Sequence, residues 1–191
     1  MAGFDIAAAR RWARFDPGRT LRGRADAELP FAHEEARAGE PLMLDTCVYI
    51  DQMKGKAPPL LEKLIETRHV YHSTVAIQEL VHIVGVLSPG DPRTPAVVKA
   101  IEVQIDAMPD HRTFVPDADV LGRAALLSGM LSRLQGYAKD MRLKALQDCT
   151  LFLQAQKLGC TVLTANIAEF DILLQLIPAA RVLFYRVEAN G

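Results

Sequence analysis

Four positions in this chain carry oxygen ligands in apolar surroundings. Asp45 directly follows the apolar run Leu42-Met43-Leu44. An acid at the carboxyl end of a short strand lies where ligands bind in open α/β sheets, although the same place suits a helix N-cap. Glu79 falls within Val75 to Val86, and its neighbours at three and four positions are Val75, Ala76, His82 and Ile83. These share one helix face, so Glu79 either finds a partner there or reaches water from the edge of the face. Asp148 has Lys144, Ala145, Leu151 and Phe152 at the same spacings. A salt bridge to Lys144 would satisfy it, and so would a cation. Asn166 follows the apolar Cys160 to Leu163, again at a strand's carboxyl end, with Glu169 and Asp171 close behind. Asn166 also suits a helix N-cap.

Brought together, Asp45, Glu79, Asp148 and the Asn166–Glu169 turn would repel one another strongly. A hard divalent cation removes that repulsion, and oxygen-only ligands suit Mg²⁺ or Mn²⁺ rather than zinc. Such a cation activates water and stabilises charge developing on a phosphodiester.

The elements that would position these residues alternate in type. Short apolar runs at Leu42–Leu44, His69–His72, Thr113–Val115, Cys160–Leu163 and Val182–Tyr185 read as strands. Between them, Pro59–Thr67, Val75–Val86, Pro95–Ala107, a segment capped by Asp117 and ended by Gly136, Leu143–Leu158 and Asn166–Leu176 read as helices. This alternation predicts a three-layer α/β fold with a central parallel sheet between helices. With a strand order of about 3-2-1-4-5, Asp45 and Asn166 would face each other across the switch point.

Residues 1–40 differ from residues 41–191 and read as a partly helical N-terminal extension. Ala7 to Trp12 is helical in pattern, and Asp16-Pro17-Gly18 marks a turn. Arg10, Arg11, Arg14, Arg19, Arg22 and Arg24 meet one acid, Asp16, before an acidic piece with Glu28, Glu34, Glu35 and Glu40. Such a segment can wrap the domain, meet a partner or carry RNA.

Composition narrows the classes. The 191 residues are 50% hydrophobic and 24% charged, which excludes global disorder. With 22 basic and 23 acidic residues the net charge is −1, so nucleic-acid binding requires a local patch. No apolar run is long enough to span a bilayer, and Arg10-Arg11 follow rather than precede the first apolar stretch, the wrong order for a secretory signal. A cytoplasmic location is expected. Cys47, Cys149 and Cys160 form no CxxC pair and read as small buried hydrophobes. Glu79-x-x-His82 is half of a di-iron motif without its other half. Gly55-Lys56 lacks the upstream glycine of a P-loop, and no GxSxG occurs.

Leu44-Asp45-Thr46-Cys47-Val48-Tyr49-Ile50 resembles the opening strand motif of PIN-domain nucleases. Ser73 to Leu80 resembles their second motif, in which a helix brings in Glu79. Gln147-Asp148-Cys149 to Gly159, then Val162-Leu163-Thr164-Ala165-Asn166, resemble the third and fourth. Order and spacing are similar to the VapC-like toxin ribonucleases over about residues 41–187. The resemblance implies a PIN-like fold, Mg²⁺- or Mn²⁺-dependent endoribonuclease activity and inhibition by a cognate antitoxin. It implies Asp45, Glu79, Asp148 and Asn166 as catalytic and metal-holding residues, with Glu169 as an outer ligand. The fourth position, often Asp in the family, is Asn166, which favours a rival reading as a PIN-like module that binds RNA or docks a protein without cutting.

Substrate contacts are expected from Thr46 and from Arg133, Lys139 and Arg142, which with Lys144 surround the Gln135–Met141 loop against one acid, Asp140. Tyr137 can stack a base. Apolar helix faces left exposed would make the protein a homodimer.

Overall fold

Side chains alternate along the strands, and that alternation sorts the core into two halves. The computed structural model describes residues 3–33 and 38–187. Glu34 and Glu35, part of the expected acidic piece, lie outside the described residues. The sheet consists of β1 (Leu42–Leu44), β2 (Val70–Ser73), β3 (Thr113–Phe114), β4 (Thr161–Thr164) and β5 (Arg181–Phe184). Every pairing is parallel and the order is β3-β2-β1-β4-β5, as the alternation of elements predicts. Met43, Val162 and Val182 enter one core, whereas Leu42, Leu44 and Leu163 enter the other.

The second core is covered by α2 (Thr46–Met53), α3 (Pro59–Thr67), α4 (Thr74–Val86) and α5 (Thr94–Asp106), through residues such as Tyr49, Leu64, Leu80 and Ile101. The first is covered by α6 (Ala118–Gln135), α7 (Met141–Lys157) and α8 (Ile167–Leu176), through Leu127, Leu131, Phe152 and Phe170. Local chemistry sets the ends of these helices. Ser73 caps α4 by accepting from the Val75 N–H at 3.1 Å, and Asp117 caps α6 by accepting from Val120 at 3.0 Å. Gly136 ends α6 at φ 68°, a left-handed conformation that glycine adopts without steric penalty. Helix α2 is an addition to the sequence reading, which placed only a turn after Asp45.

Residues 3–33 run along the α6–α8 face. One further helix, Ile6–Trp12, is labelled α1 and packs against α6. The Phe4 ring occupies the space where Gly122 lacks a side chain; a Cβ there would meet it at 2.2 Å. The Arg123 guanidinium lies 5.2 Å from the Trp12 ring centroid. Phe31 bridges to Phe184 beside β5, with Ala32 donating to the Phe184 carbonyl at 2.7 Å. Leu29 is buried in the first core, and Trp12, Phe15, Leu21 and Phe31 pack against it. Among the described residues, no helix is long and apolar enough to cross a membrane.

Candidate metal centre at the carboxyl ends of the strands

Register brings the first pair of site residues together. Leu44 lies opposite Leu163, so the next residues, Asp45 and Thr164, emerge side by side at the switch point between β1 and β4. The Thr164 hydroxyl donates to Asp45 Oδ2 at 2.6 Å and accepts from the Asn166 N–H at 2.8 Å. The Cys47 thiol donates to the same Oδ2 at 3.1 Å, and the Thr46 N–H donates to Oδ1 at 2.7 Å. Asp45 therefore caps α2 and at the same time lines the pocket.

The helices supply the remaining acids. Glu79 projects from α4 and accepts a hydrogen bond from the Thr46 hydroxyl. Thr46, expected to meet substrate, is thus engaged in holding Glu79. Asp148 projects from α7 and is 4% exposed. The expected alternative partner does not claim it, because among the described residues no ion pair joins it to Lys144. Instead the Asn166 amide Nδ2 donates to Asp148 Oδ2 at 3.2 Å. Asn166 occupies the N-cap position of α8 but makes no capping bond with its side chain, which leaves its Oδ1 as an acceptor.

Asp45, Glu79, Asp148, Asn166, Thr46, Cys47, His82, Lys144 and Gln147 are among the residues lining one cavity of about 270 Å³. Larger cavities lie elsewhere, including one of about 530 Å³ beneath Arg24, Arg68 and Arg181, but that one is rich in cations and holds a single acid, Glu40. Burial raises the Glu79 carboxyl to about 7, with the Asp45 charge adding to the rise and Thr46 and Lys144 opposing it. Burial also raises Asp148 well above the carboxylate range, assisted by repulsion from Asp45, Glu79 and Glu169. The Tyr49 hydroxyl and the Cys47 thiol are pushed up by burial and then by the Asp45 charge.

This donor set fits a hard divalent cation. Three carboxyl groups and an amide oxygen share a pocket where burial favours the protonated form of Glu79 and Asp148, and a cation would favour the charged form. The side chains line the pocket without closing on one point: among the described residues, no three His, Cys, Asp or Glu side chains are drawn together tightly enough to ligate one ion.

Other expected residues lie apart. Glu169 accepts from the Tyr137 hydroxyl and does not line the cavity; its charge acts on Asp148 from outside. Tyr137 was expected to stack a base, but its hydroxyl is directed to Glu169. Arg133 pairs with Asp16 of the N-terminal segment and faces a different cavity, which it shares with Arg10. Lys139 and Arg142 are exposed and line no part of the acidic pocket. Asp171 is turned away altogether. It accepts from Arg24 Nε at 2.6 Å and from the Arg24 N–H at 2.7 Å. Lys144 lines the pocket although it lay outside the expected site set; its signal was its place one turn before Asp148. Thr164, at the end of β4, does not line the pocket but holds Asp45 from beside it.

Solved structures share this overall fold. The VapBC2 complex from Rickettsia felis, bound to a promoter DNA fragment, aligns with a TM-score of 0.53 at 14% identity, over 76% of this chain and 99% of that one. The fold is PIN-like. FitAcB from Neisseria gonorrhoeae aligns at 0.52 and 18% identity, over 74% of this chain and 96% of that one. VapBC-5 from Mycobacterium tuberculosis, a member of the VapBC family of toxin–antitoxin systems, aligns at 0.50 and 16% identity, over 77% and 100%. No protein-family model matches the sequence, and no curated protein does. In this PIN-like fold the acids come from β1, α4 and α7, three elements separate in sequence.

Proposed function

We propose that this protein is a Mg²⁺- or Mn²⁺-dependent endoribonuclease and the toxin of a toxin–antitoxin pair. The observation that carries the reading is the convergence of Asp45, Glu79 and Asp148 on one cavity that, among the described residues, is lined by a single lysine, Lys144, and no arginine. Structural acids are normally buried with their donors, whereas among the described residues Asp148 has only an amide. The PIN-like fold and the toxin–antitoxin complexes it resembles support the same reading, and they support an antitoxin protein as partner.

Asp45, Glu79 and Asp148 would hold the cation, with Asn166 contributing through Oδ1. When bound, the cation supplies Lewis-acid charge that activates water and offsets negative charge on the phosphate. The protein's own contribution is orientation. Thr164, Cys47 and the Thr46 N–H fix Asp45, and the Thr46 hydroxyl fixes Glu79. This route leaves the RNA 2′-OH unused, so the products carry 5′-phosphate and 3′-hydroxyl ends.

The test is cleavage of a mixed RNA pool with Mn²⁺, with EDTA and Asp45→Asn as controls. Cleavage that needs both metal and Asp45 is the expected result. Cyclic 2′,3′-phosphate ends would sink the mechanism. A second reading, a PIN-like module that binds RNA or a protein without cutting, is favoured by Asn166, whose amide brings no charge to the site. A folded protein that binds RNA and never cuts it would establish that reading instead.

A further inference from the structure

Lys144 differs from its neighbours Lys139 and Arg142, which are likewise exposed and without an ion pair among the described residues but do not line the pocket. It lines the pocket with Asp45, Glu79, Asp148 and Asn166. It lies one helical turn before Asp148 and so on the same face of α7. Arg133 is paired with Asp16, Arg123 with Asp119 and Lys157 with Asp117. Lys144 is exposed and has no ion-pair partner among the described residues.

Local helix physics disfavours this placement. The first turn of a helix attracts anions and repels cations, yet the first turn of α7 carries Arg142 and Lys144 and no acid, and the N-cap Asp140 makes no capping bond with its side chain. An anion arriving at this end of α7 would turn the repulsion into attraction. Charge balance points the same way. With Asn166 neutral, the three pocket carboxylates are balanced by one divalent cation and one ammonium, without a second metal.

We propose that Lys144 binds the scissile phosphate of the RNA, its ammonium Nζ donating to the non-bridging oxygens at the mouth of the acidic pocket. The proposal rests on the ribonuclease reading above and names the residue that would meet the substrate's reacting group.

The test uses the full chain and a labelled single-stranded RNA, with two readouts. The first is binding in EDTA across a salt series, where no cleavage occurs. Lys144→Met should flatten the slope of log affinity against log salt by about 0.7, the loss of one phosphate contact to a single strand. The second is cleavage with Mn²⁺, where Lys144→Met should lower kcat by about 100-fold. Lys144→Arg should recover most of both. Lys157→Met, on the same helix and paired with Asp117, should change neither. A cleaving Lys144→Met protein with the wild-type slope and kcat overturns the proposal alone. An unchanged slope with a lowered kcat overturns the phosphate contact, leaving Lys144 to act only through the acids. A flattened slope in a chain that never cuts keeps the contact and removes the ribonuclease reading. A wild-type chain that neither binds nor cuts RNA overturns both.

Discussion

Two aspartates, both almost fully buried, sit on neighbouring helices of one layer and have opposite surroundings. Asp171 on α8 is 1% exposed and accepts from the Arg24 side chain, the Arg24 N–H and the Gln175 amide. Asp148 on α7 is 4% exposed and, among the described residues, accepts only from the Asn166 amide. Near Asp148 stand three further acids, Asp45, Glu79 and Glu169, against one cation, Lys144. A buried carboxylate with a full set of donors ties the N-terminal segment to the domain. A buried carboxylate without them implies that something else must supply the missing positive charge. Burial alone does not separate the two roles; the donors around each oxygen do.

The contrast makes predictions of decreasing size. Asp148→Asn should reduce metal-dependent RNA cleavage on the order of 10³-fold, because it removes a ligand charge where charge develops. Asp171→Asn should leave the cleavage site intact. Retention of cleavage by Asp148→Asn in a discontinuous RNA assay would break the comparison.

Stability should move the other way. Asp171→Asn should destabilise the fold by about 3 kcal/mol, the low end for breaking a buried pair, since Arg24 is 31% exposed. Asp148→Asn should raise the metal-free melting temperature, since the new amide can still accept from Asn166 and the repulsion is gone. Asp45→Asn should gain less, because its Oδ2 accepts from both Thr164 and Cys47 and an NH₂ there cannot. Thermal melts in EDTA rank all three.

The pH dependence sharpens the point. In the folded chain Glu79 ionises near 7 rather than at its ordinary 4.5, and Asp148 is shifted in the same direction. The folded state then holds more protons than the unfolded state between those values, so stability falls as pH rises through that window. The metal-free melting temperature should be highest near pH 4 to 5 and decline past pH 7. Mn²⁺ should restore it at the alkaline end, and Mn²⁺ affinity by calorimetry should rise over the same interval. A melting temperature that rises from pH 5 to pH 8 without metal would contradict the crowded-acid account. The smallest effect belongs to Tyr137→Phe, which frees Glu169 at the edge of the site and should alter kcat by less than about 10-fold.

Much of the site was legible because its signals are local. A charged residue in an apolar stretch is visible without a fold, and that pattern marked Asp45, Glu79 and Asp148. Contacts at long sequence separation were not legible. Arg24 meets Asp171 across 147 positions, and Asp16 meets Arg133 across 117. Periodicity carries no information about such pairs. Arg133 accordingly read as a substrate contact, although its charge is engaged by the N-terminal segment. The family resemblance implied Glu169 as an outer ligand, but its place on α8 directs it to Tyr137.

The sequence by itself determined the elements, their alternation and the strand-end positions of Asp45 and Asn166. Hydrophobic period, caps and breakers act within a few residues and need no partner. Tertiary structure decided which oxygens acquire donors. It placed Thr164 beside Asp45 through the β1–β4 register, gave Asp171 its arginine, and left Asp148 with an amide and Lys144 at the rim. Those outcomes depend on which elements become neighbours, and only the packed sheet and its two helical layers settle that.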